Sequence, residues 1–378
     1  MGRLRSHPVA LVASLALAVL AVSEAAACSI PVFRYALERW PAEPYQAIVL
    51  HKGALSAEDQ KLVETLRKAA TADGAPANLE VQTADCDGKL DKDVEALLKQ
   101  EVGAEMPRLV LLYPASLRVE EKAWSGPLGP GLAARLLDSP ARRKITSRLL
   151  AGDCAVWLLV ECGERAKDDA AGKLLREQLA KLETTLELPT PEALGGFGEE
   201  PPEPGAKRDL KVAFSHLRVS RADKAEQAFL DVLLSIDPEF KKEKEPMAFA
   251  IFGQGRALPA LVGAGINADN VAEVCAFVVG PCSCQVKAMN PGWDLLMAAD
   301  WSAAIEGRLV KEPEEPVLTG SVPAPLPKEK VASAAPVPAA PSAARAPSPL
   351  LRNVLLAIVA AVILLAAASA FVLRRREG

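Results

Sequence analysis

The first half of the chain alternates between short apolar runs and segments with helical spacing. Runs rich in Val, Ile and Leu are typical of buried strands, whereas Leu62, Val63 and Leu66 recur on one face of a helix. Ser56, with Asp59 three residues later, is a capping pair at the start of that helix, and Ser220 with Asp223 is a capping pair in the second half of the chain. Ser139 followed by Pro140 is a further predicted helix start. The pattern predicts strands at residues 45–53, 78–87, 108–114 and 117–124, and helices at 57–71, 92–100 and 139–150.

The second half repeats this order of elements. Its pattern predicts strands at 154–162 and 209–220, a strand pair within 247–263, and helices at 168–186, 222–236 and 267–279. Alternating strands and helices indicate a mainly parallel sheet covered by helices. We therefore predict an α/β protein with two βαβαββα domains in tandem, residues 28–151 and 152–310. A segment rich in Pro, Gly and Glu, 189–208, is expected to be a surface loop.

The N-terminus has the layout of a secretory signal peptide. Basic residues precede an apolar run, and the run ends in small residues up to Ala27, which predicts a signal peptide at 1–27 and a mature chain from Cys28. A cysteine at that position also fits a lipoprotein. Ordinary cleavage is the interpretation that the A-x-A pattern favours, because Ala25 stands where lipidation signals usually have Leu.

The C-terminus predicts a tether to a membrane. Residues 311–349 are rich in Pro and Ala and have no hydrophobic period, which is typical of a disordered stalk. An uncharged apolar run, Val354 to Leu373, has the length of a transmembrane helix, here placed at 350–374. The basic tail, 375–378, then predicts a single-pass protein whose body lies on the extracytoplasmic side of the cell membrane.

Composition excludes several classes of function. The net charge is −4 with both signs interspersed, so no nucleic-acid surface is indicated. The chain has only three histidines, which leaves little material for a histidine metal site or a Ser-His-Asp triad, and no cofactor is implied. Seven cysteines in an exported chain permit disulfides and leave one thiol over.

The order βαβαββα resembles the thioredoxin fold, and each unit has a proline just ahead of its third strand: "EMPRLVLLY" with Pro107 and "KEPMAFAIF" with Pro246. The resemblance implies cis peptide bonds at Met106–Pro107 and Glu245–Pro246. The alternative is a trans proline that opens a strand. From "CSIPVFRYALERW" to "GPCSCQVK", the chain also resembles predicted membrane-anchored exported bacterial proteins, and this second resemblance implies no activity.

The thioredoxin resemblance does not carry over the usual chemistry. Active thioredoxins hold a C-x-x-C motif between the first strand and the first helix, and no C-x-x-C occurs in this chain. Only Cys162 lies near such a junction, with Arg165 where a second cysteine would be. Either Cys162 is a monothiol whose thiolate Arg165 favours, or it is a small buried cysteine. Cys86, between two carboxylates, is expected to be a poor nucleophile.

The remaining cysteines cluster near the end of the second unit. Cys275, Cys282 and Cys284 permit three interpretations: a structural disulfide clip, a labile redox pair at Cys282 and Cys284, or a soft-metal site for copper or zinc. A clip would join Cys282 or Cys284 to Cys154, Cys162 or Cys275. Two further stretches are expected to pack on the folded body: "WDLLMAADW", which would otherwise dock a partner, and the mature start, expected against the first domain.

Two functions follow from these observations. The first is a binding or assembly module without enzymatic activity, held outside the membrane to engage another envelope protein. The alternative is a thiol-redox or soft-metal protein that uses Cys282 and Cys284. The sequence leaves open whether the protein is an enzyme, and it favours the binding module.

Overall fold

Two β-sheets with flanking helices make up the described part of the chain. The structure is a computed structural model that describes residues 30–72, 75–189 and 210–305. Six predictions lie outside the described residues: the signal peptide, its cleavage or lipidation site at Ala27 and Cys28, the surface loop at 189–208 apart from Pro189, the stalk at 311–349, the transmembrane helix at 350–374 and the tail. Within the described ranges, no helix combines the length and apolarity needed to cross a membrane.

Eight α-helices and ten strands are present in the described residues. The helices are α1 Val32–Arg39, α2 Ala57–Ala70, α3 Lys92–Gln100, α4 Leu132–Leu137, α5 Pro140–Leu150, α6 Arg165–Thr185, α7 Gln227–Leu234 and α8 Ala268–Val279. The strands are β1 Tyr45–His51, β2 Leu79–Asp85, β3 Arg108–Leu112, β4 Lys122–Pro127, β5 Ala155–Glu161, β6 Phe214–Ser220, β7 Met247–Phe252, β8 Arg256–Ala257, β9 Leu261–Val262 and β10 Trp293–Asp294.

The first sheet has the strand order β2-β1-β3-β4. Strand β1 runs parallel to β2, with Tyr45 opposite Leu79, and antiparallel to β3, with Leu50 opposite Arg108. Strand β4 returns antiparallel beside β3, as the sequence predicted. Both faces of the sheet are covered, which explains the nearly continuous apolar runs of β1 and β3.

The second sheet has the order β10-β8-β7-β5-β6, with β9 paired to β7. Strand β5 is parallel to β6 and antiparallel to β7, the same arrangement that β1 has with β2 and β3. The repeated order of strands and helices is therefore confirmed, and the described part of the chain is a mixed α/β protein with two sheets. The predicted parallel sheet is corrected, because each sheet has one parallel pair of strands and its other pairs are antiparallel.

Local sequence accounts for where several helices begin. The Ser56 and Ser139 hydroxyls accept from the N–H groups of Asp59 and Arg142, so α2 and α5 have the predicted caps. Helix α7 begins at Gln227, later than predicted. The side chains of Ser220 and Asp223 accept hydrogen bonds from the N–H groups of Ala222 and Ala225 and hold residues 220–225 in turns instead.

Each end of the described chain packs in the core of the sheet formed by the other half of the chain. Helix α1 packs in the core of the second sheet, with Val32 and Phe33 beside Phe252, so the prediction that the mature start lies against the first domain is wrong. At the other end, Leu296 is buried in the core of the first sheet. Residues 293–297 are buried, which confirms that this segment packs on the body. All described residues accordingly fall in one compact unit.

Candidate functional site

The junction after β5 holds Cys162, the candidate monothiol. The buried Asp168 carboxylate accepts from the N–H of Cys162 at 2.8 Å and from that of Gly163 at 3.0 Å. Burial and the Asp168 carboxylate raise the pKa of the Cys162 thiol. Arg165 is almost fully exposed and pairs with Asp169 at 3.5 Å. The expectation that Arg165 favours a thiolate is therefore wrong, because the nearby acid has the larger influence. The alternative of a buried cysteine is corrected as well, because Cys162 is only partly buried.

The corresponding junction, between β1 and α2, contains no cysteine. His51 Nδ1 lies 2.7 Å from the carbonyl oxygen of Gly53, whose N–H donates to Asp85 at 3.1 Å. Cys86 lies at the end of the neighbouring strand, and burial, with the Asp85 and Asp87 charges, raises its pKa. Both junctions are thus turns closed by a carboxylate, and neither holds an activated nucleophile.

The two prolines ahead of the third strands differ in conformation. Met106–Pro107 is the only cis peptide bond in the described residues, so Glu245–Pro246 is trans. The expectation of a cis bond at Pro246 is corrected accordingly. The trans form is the intrinsically favoured one, and in this form the Pro246 carbonyl accepts from the Gly263 N–H at 2.9 Å, which fixes the start of β7.

Three cysteines share the core of the second sheet. Cys154, Cys275 and Cys282 are each at most 1% exposed and belong to the same apolar cluster. Burial raises the pKa of Cys154 to about 11 and that of Cys275 to about 12. The thiols of Cys154 and Cys275 are protonated at neutral pH, and the surroundings of all three cysteines are those of small apolar core residues.

Within the described residues, the cysteines form neither a disulfide nor part of a metal site with three or more His, Cys, Asp or Glu ligands. No disulfide joins any two of the six cysteines that the structure describes. No group of three or more His, Cys, Asp or Glu side chains in the described ranges could hold a metal ion. The predicted metal group of Cys275, Cys282 and Cys284 is therefore corrected, because Cys275 faces the core from α8 while Cys284 lies at the surface.

Backbone pairing holds the Cys282 segment in place. The Cys282 N–H donates to the Ile30 carbonyl at 3.0 Å, and the Val32 N–H donates to the Gly280 carbonyl at 2.9 Å. Pro31 and Pro281 face each other in this short antiparallel bridge. Backbone hydrogen bonds to residues 30–32 thus hold this segment in place. The sequence analysis had assigned that role to a disulfide clip.

The loop 284–290 that follows is fixed at several points. The Asn290 amide donates to the carbonyls of Cys284 and Val286, each at 2.9 Å, and the Trp40 indole N–H donates to the Gln285 carbonyl at 2.9 Å. The Lys287 ammonium contacts the Asp294 carboxylate. On this loop Val286 is 56% and Met289 72% exposed, although both are apolar.

A buried charged network beneath this loop was missed by the sequence analysis. Asp294 is 4% exposed, and its carboxylate pairs with Arg256 at 3.4 Å and accepts from the Glu43 N–H at 2.8 Å. The Arg256 guanidinium also donates to the Pro291 and Asn290 carbonyls. Single charges inside the apolar stretches "GRALPALV" and "WDLLM" were the available indication, since a buried charge requires a partner.

A cavity of about 330 Å³ lies between α1 and the turn after α5. Its lining includes Arg34, Asp153 and Lys211 but no His, Cys or Ser side chain. The described part of its lining therefore holds no Ser–His or Cys–His pair.

Comparison with known protein families found no family model that matches the chain, and comparison with curated proteins found no match either. Function is therefore inferred from the residues and their geometry.

Proposed function

We propose that the protein is a membrane-anchored extracytoplasmic protein whose two α/β units, thioredoxin-like without the dithiol motif, form a protein-binding or assembly module of the cell envelope. The proposal is supported by the repeated βαβαββ order, by the shared sheet arrangement and by the absence of C-x-x-C from the sequence. The signal-like start and the apolar C-terminal run support the location.

The observation that carries the proposal is the fixed loop with exposed apolar side chains. Val286 and Met289 project from a backbone that Asn290 and Trp40 hold by hydrogen bonds. Because the loop is already ordered, it loses little conformational entropy when a partner binds, and more of the contact energy remains as affinity. Methionine is also enriched at protein interfaces, since its flexible thioether adapts to the opposing surface.

The thiol chemistry supports binding rather than redox catalysis. Burial and neighbouring carboxylates raise the pKa values of the junction thiols Cys86 and Cys162, so neither forms a thiolate readily at neutral pH. A module that has lost the reactive centre retains the surface around it, and such a surface can recognise another protein without reacting with it.

Site-specific photo-crosslinking tests the proposal. A photoreactive amino acid is placed at Val286 in the full-length protein, in its native host, and the same residue at Val102 serves as the control. Val102 is 83% exposed, apolar, and lies just after α3, outside this loop. We expect Val286 to crosslink reproducibly to one envelope protein and Val102 not to do so. Identical products at both positions, or none, would refute the binding surface.

Fractionation tests the proposed location separately. The mature protein should remain with membranes after alkaline extraction, and removal of residues 350–378 should release it. Protease added outside the cytoplasmic membrane should digest the body of the protein. A chain that stays protected from external protease, or soluble with the C-terminal run intact, would contradict the proposed topology.

A further inference from the structure

Two soft sulfur atoms meet at the surface of the loop 284–290. The Cys284 Sγ lies 3.8 Å from the Met289 Sδ. Cys284 is only partly buried and Met289 is 72% exposed, so both atoms can be reached from solvent. This contact joins residues five apart in sequence, and the proposed binding function does not depend on it.

The backbone sets the separation of the two sulfurs. Residues 287–289 form a single 3₁₀ turn, in which the Met289 N–H donates to the Val286 carbonyl at 3.0 Å. The Asn290 side chain ties the carbonyls of Cys284 and Val286 together from the other side. A ligand bound between the sulfurs would therefore meet a site that is already formed.

We propose that Cys284 and Met289 form a binding site for a monovalent soft metal ion, Cu(I). Thiolate and thioether sulfurs are the protein ligands that select this ion. With metal–sulfur distances of about 2.3 Å, sulfurs 3.8 Å apart subtend a bent angle of about 110° at the metal. Such an angle leaves one side of the ion open to a ligand from solvent or from another protein.

Binding involves no change of oxidation state. The Cys284 thiol releases its proton to solvent as the sulfur–metal bond forms, and the Met289 thioether donates a lone pair while remaining neutral. Thiolate and Cu(I) together carry no net charge, so the site is electrically balanced without a further acidic group. Zinc is disfavoured because structural zinc sites use four ligands, and the described residues assemble no group of three His, Cys, Asp or Glu for a metal.

The other cysteines of the cluster contribute little to this site. Cys282 and Cys275 are each 1% exposed within the apolar core of the second sheet. The Cys282 Sγ lies 3.3 Å from the Cys284 carbonyl oxygen, so its thiol is directed at the backbone. Access of an ion to either core thiol would require the core to open.

Competition with a chromogenic Cu(I) chelator tests the proposal. The purified full-length protein is reduced, kept free of oxygen, and titrated together with Cys284→Ser, Met289→Leu and the control Cys162→Ser. We expect the wild type to bind one equivalent of Cu(I). The expected loss of affinity is roughly a hundredfold in Cys284→Ser and about tenfold in Met289→Leu, with no change in Cys162→Ser. Circular dichroism spectra matching the wild type establish that each variant is folded.

Three results would overturn the site. Wild type and Cys284→Ser could bind Cu(I) equally, Met289→Leu could bind as tightly as the wild type, or one ion could bind per two chains, which would indicate a site between copies. X-ray absorption of the loaded protein should show at least two sulfur ligands in the wild type and one fewer in Met289→Leu. Cys284→Ser should retain photo-crosslinking from Val286, so failure of the metal site and failure of the binding surface can be told apart.

Discussion

Asp294 is the point at which the two sheets and the loop 284–290 are joined, and its replacement tests the organisation of the fold. Its carboxylate contacts Arg256 at 3.4 Å, accepts from the Glu43 N–H at 2.8 Å and contacts the Lys287 ammonium. Its backbone carbonyl accepts from the buried Tyr45 hydroxyl of β1 at 2.9 Å. Asp294→Ala removes the carboxylate and leaves two cations and one N–H without their acceptor.

The magnitude follows from burial. The side chains of Asp294 and Arg256 are 4% and 8% exposed, and removing one member of a buried ion pair costs about 3–5 kcal/mol. Arg256 keeps its hydrogen bonds to two backbone carbonyls, and Lys287 can turn towards Glu43, 3.8 Å away. We therefore expect the lower end of the range, about 3 kcal/mol, which lowers the melting temperature by roughly 6–12 °C.

Urea unfolding of the full-length protein, followed by the fluorescence of its five tryptophans, measures this loss, and Trp293 lies next to the site. Asp138→Ala is the matched control, because the Asp138–Arg143 pair is 54% and 61% exposed and should contribute at most about 1 kcal/mol. Asp294→Asn keeps the shape and one acceptor and should fall between the two. A loss in Asp294→Ala no larger than in Asp138→Ala would refute the argument from burial.

Three further predictions concern single interactions. Burial raises the pKa of Glu101, but hydrogen bonds from Lys122 and Ser125 outweigh it and lower this pKa below its unfolded value. The ionised form therefore stabilises the fold above about pH 4.3, and this contribution is lost as the pH falls through the folded pKa. In urea titrations the advantage of the wild type over Glu101→Gln, about 2 kcal/mol at pH 7, should shrink as the pH is lowered below about 4.3. Ser139→Ala removes the buried cap of α5 and should cost about 1 kcal/mol in the same assay, whereas an unchanged midpoint would mean that the cap is dispensable. Gly253 has φ +58°, and a Cβ there would lie 2.7 Å from the Cβ of Ala36. Gly253→Ala should therefore cost at least about 2 kcal/mol of stability and loosen α1. Hydrogen exchange of the α1 amides would detect the loosening.

Much of the secondary structure could be predicted because it depends on neighbouring residues. The periodicities around Leu62 and within β1, and the caps at Ser56 and Ser139, are local, and the elements appear where the patterns placed them. Strand β4 lies at 122–127 instead of 117–124, and α4 was not predicted. Helix α7 also begins later than predicted, at Gln227. Its predicted cap at Ser220 forms a turn, because short polar side chains stabilise turns and helix starts with the same hydrogen bonds.

The candidate site could be predicted only in part. The sequence marked Cys282 and Cys284 by their spacing, but nothing local distinguished the buried Cys282 from the accessible Cys284. Met289 escaped attention because a methionine is more often a packing residue than a ligand, and its neighbours Lys287 and Asn290 gave no further indication. Its exposure depends on how residues 284–290 are folded back by Asn290 and Trp40.

The sequence by itself determined the order of strands and helices, their amphipathic faces and the absence of a dithiol motif, because these are properties of neighbouring residues. Tertiary structure alone decided which end of the chain packs on which sheet, which charges are paired and which thiols face solvent. The contact between Glu43 and Asp294 joins positions 251 residues apart, and no local pattern encodes such a pairing. Folding buried two opposite charges in the same place, where each is tolerated only because the other is there.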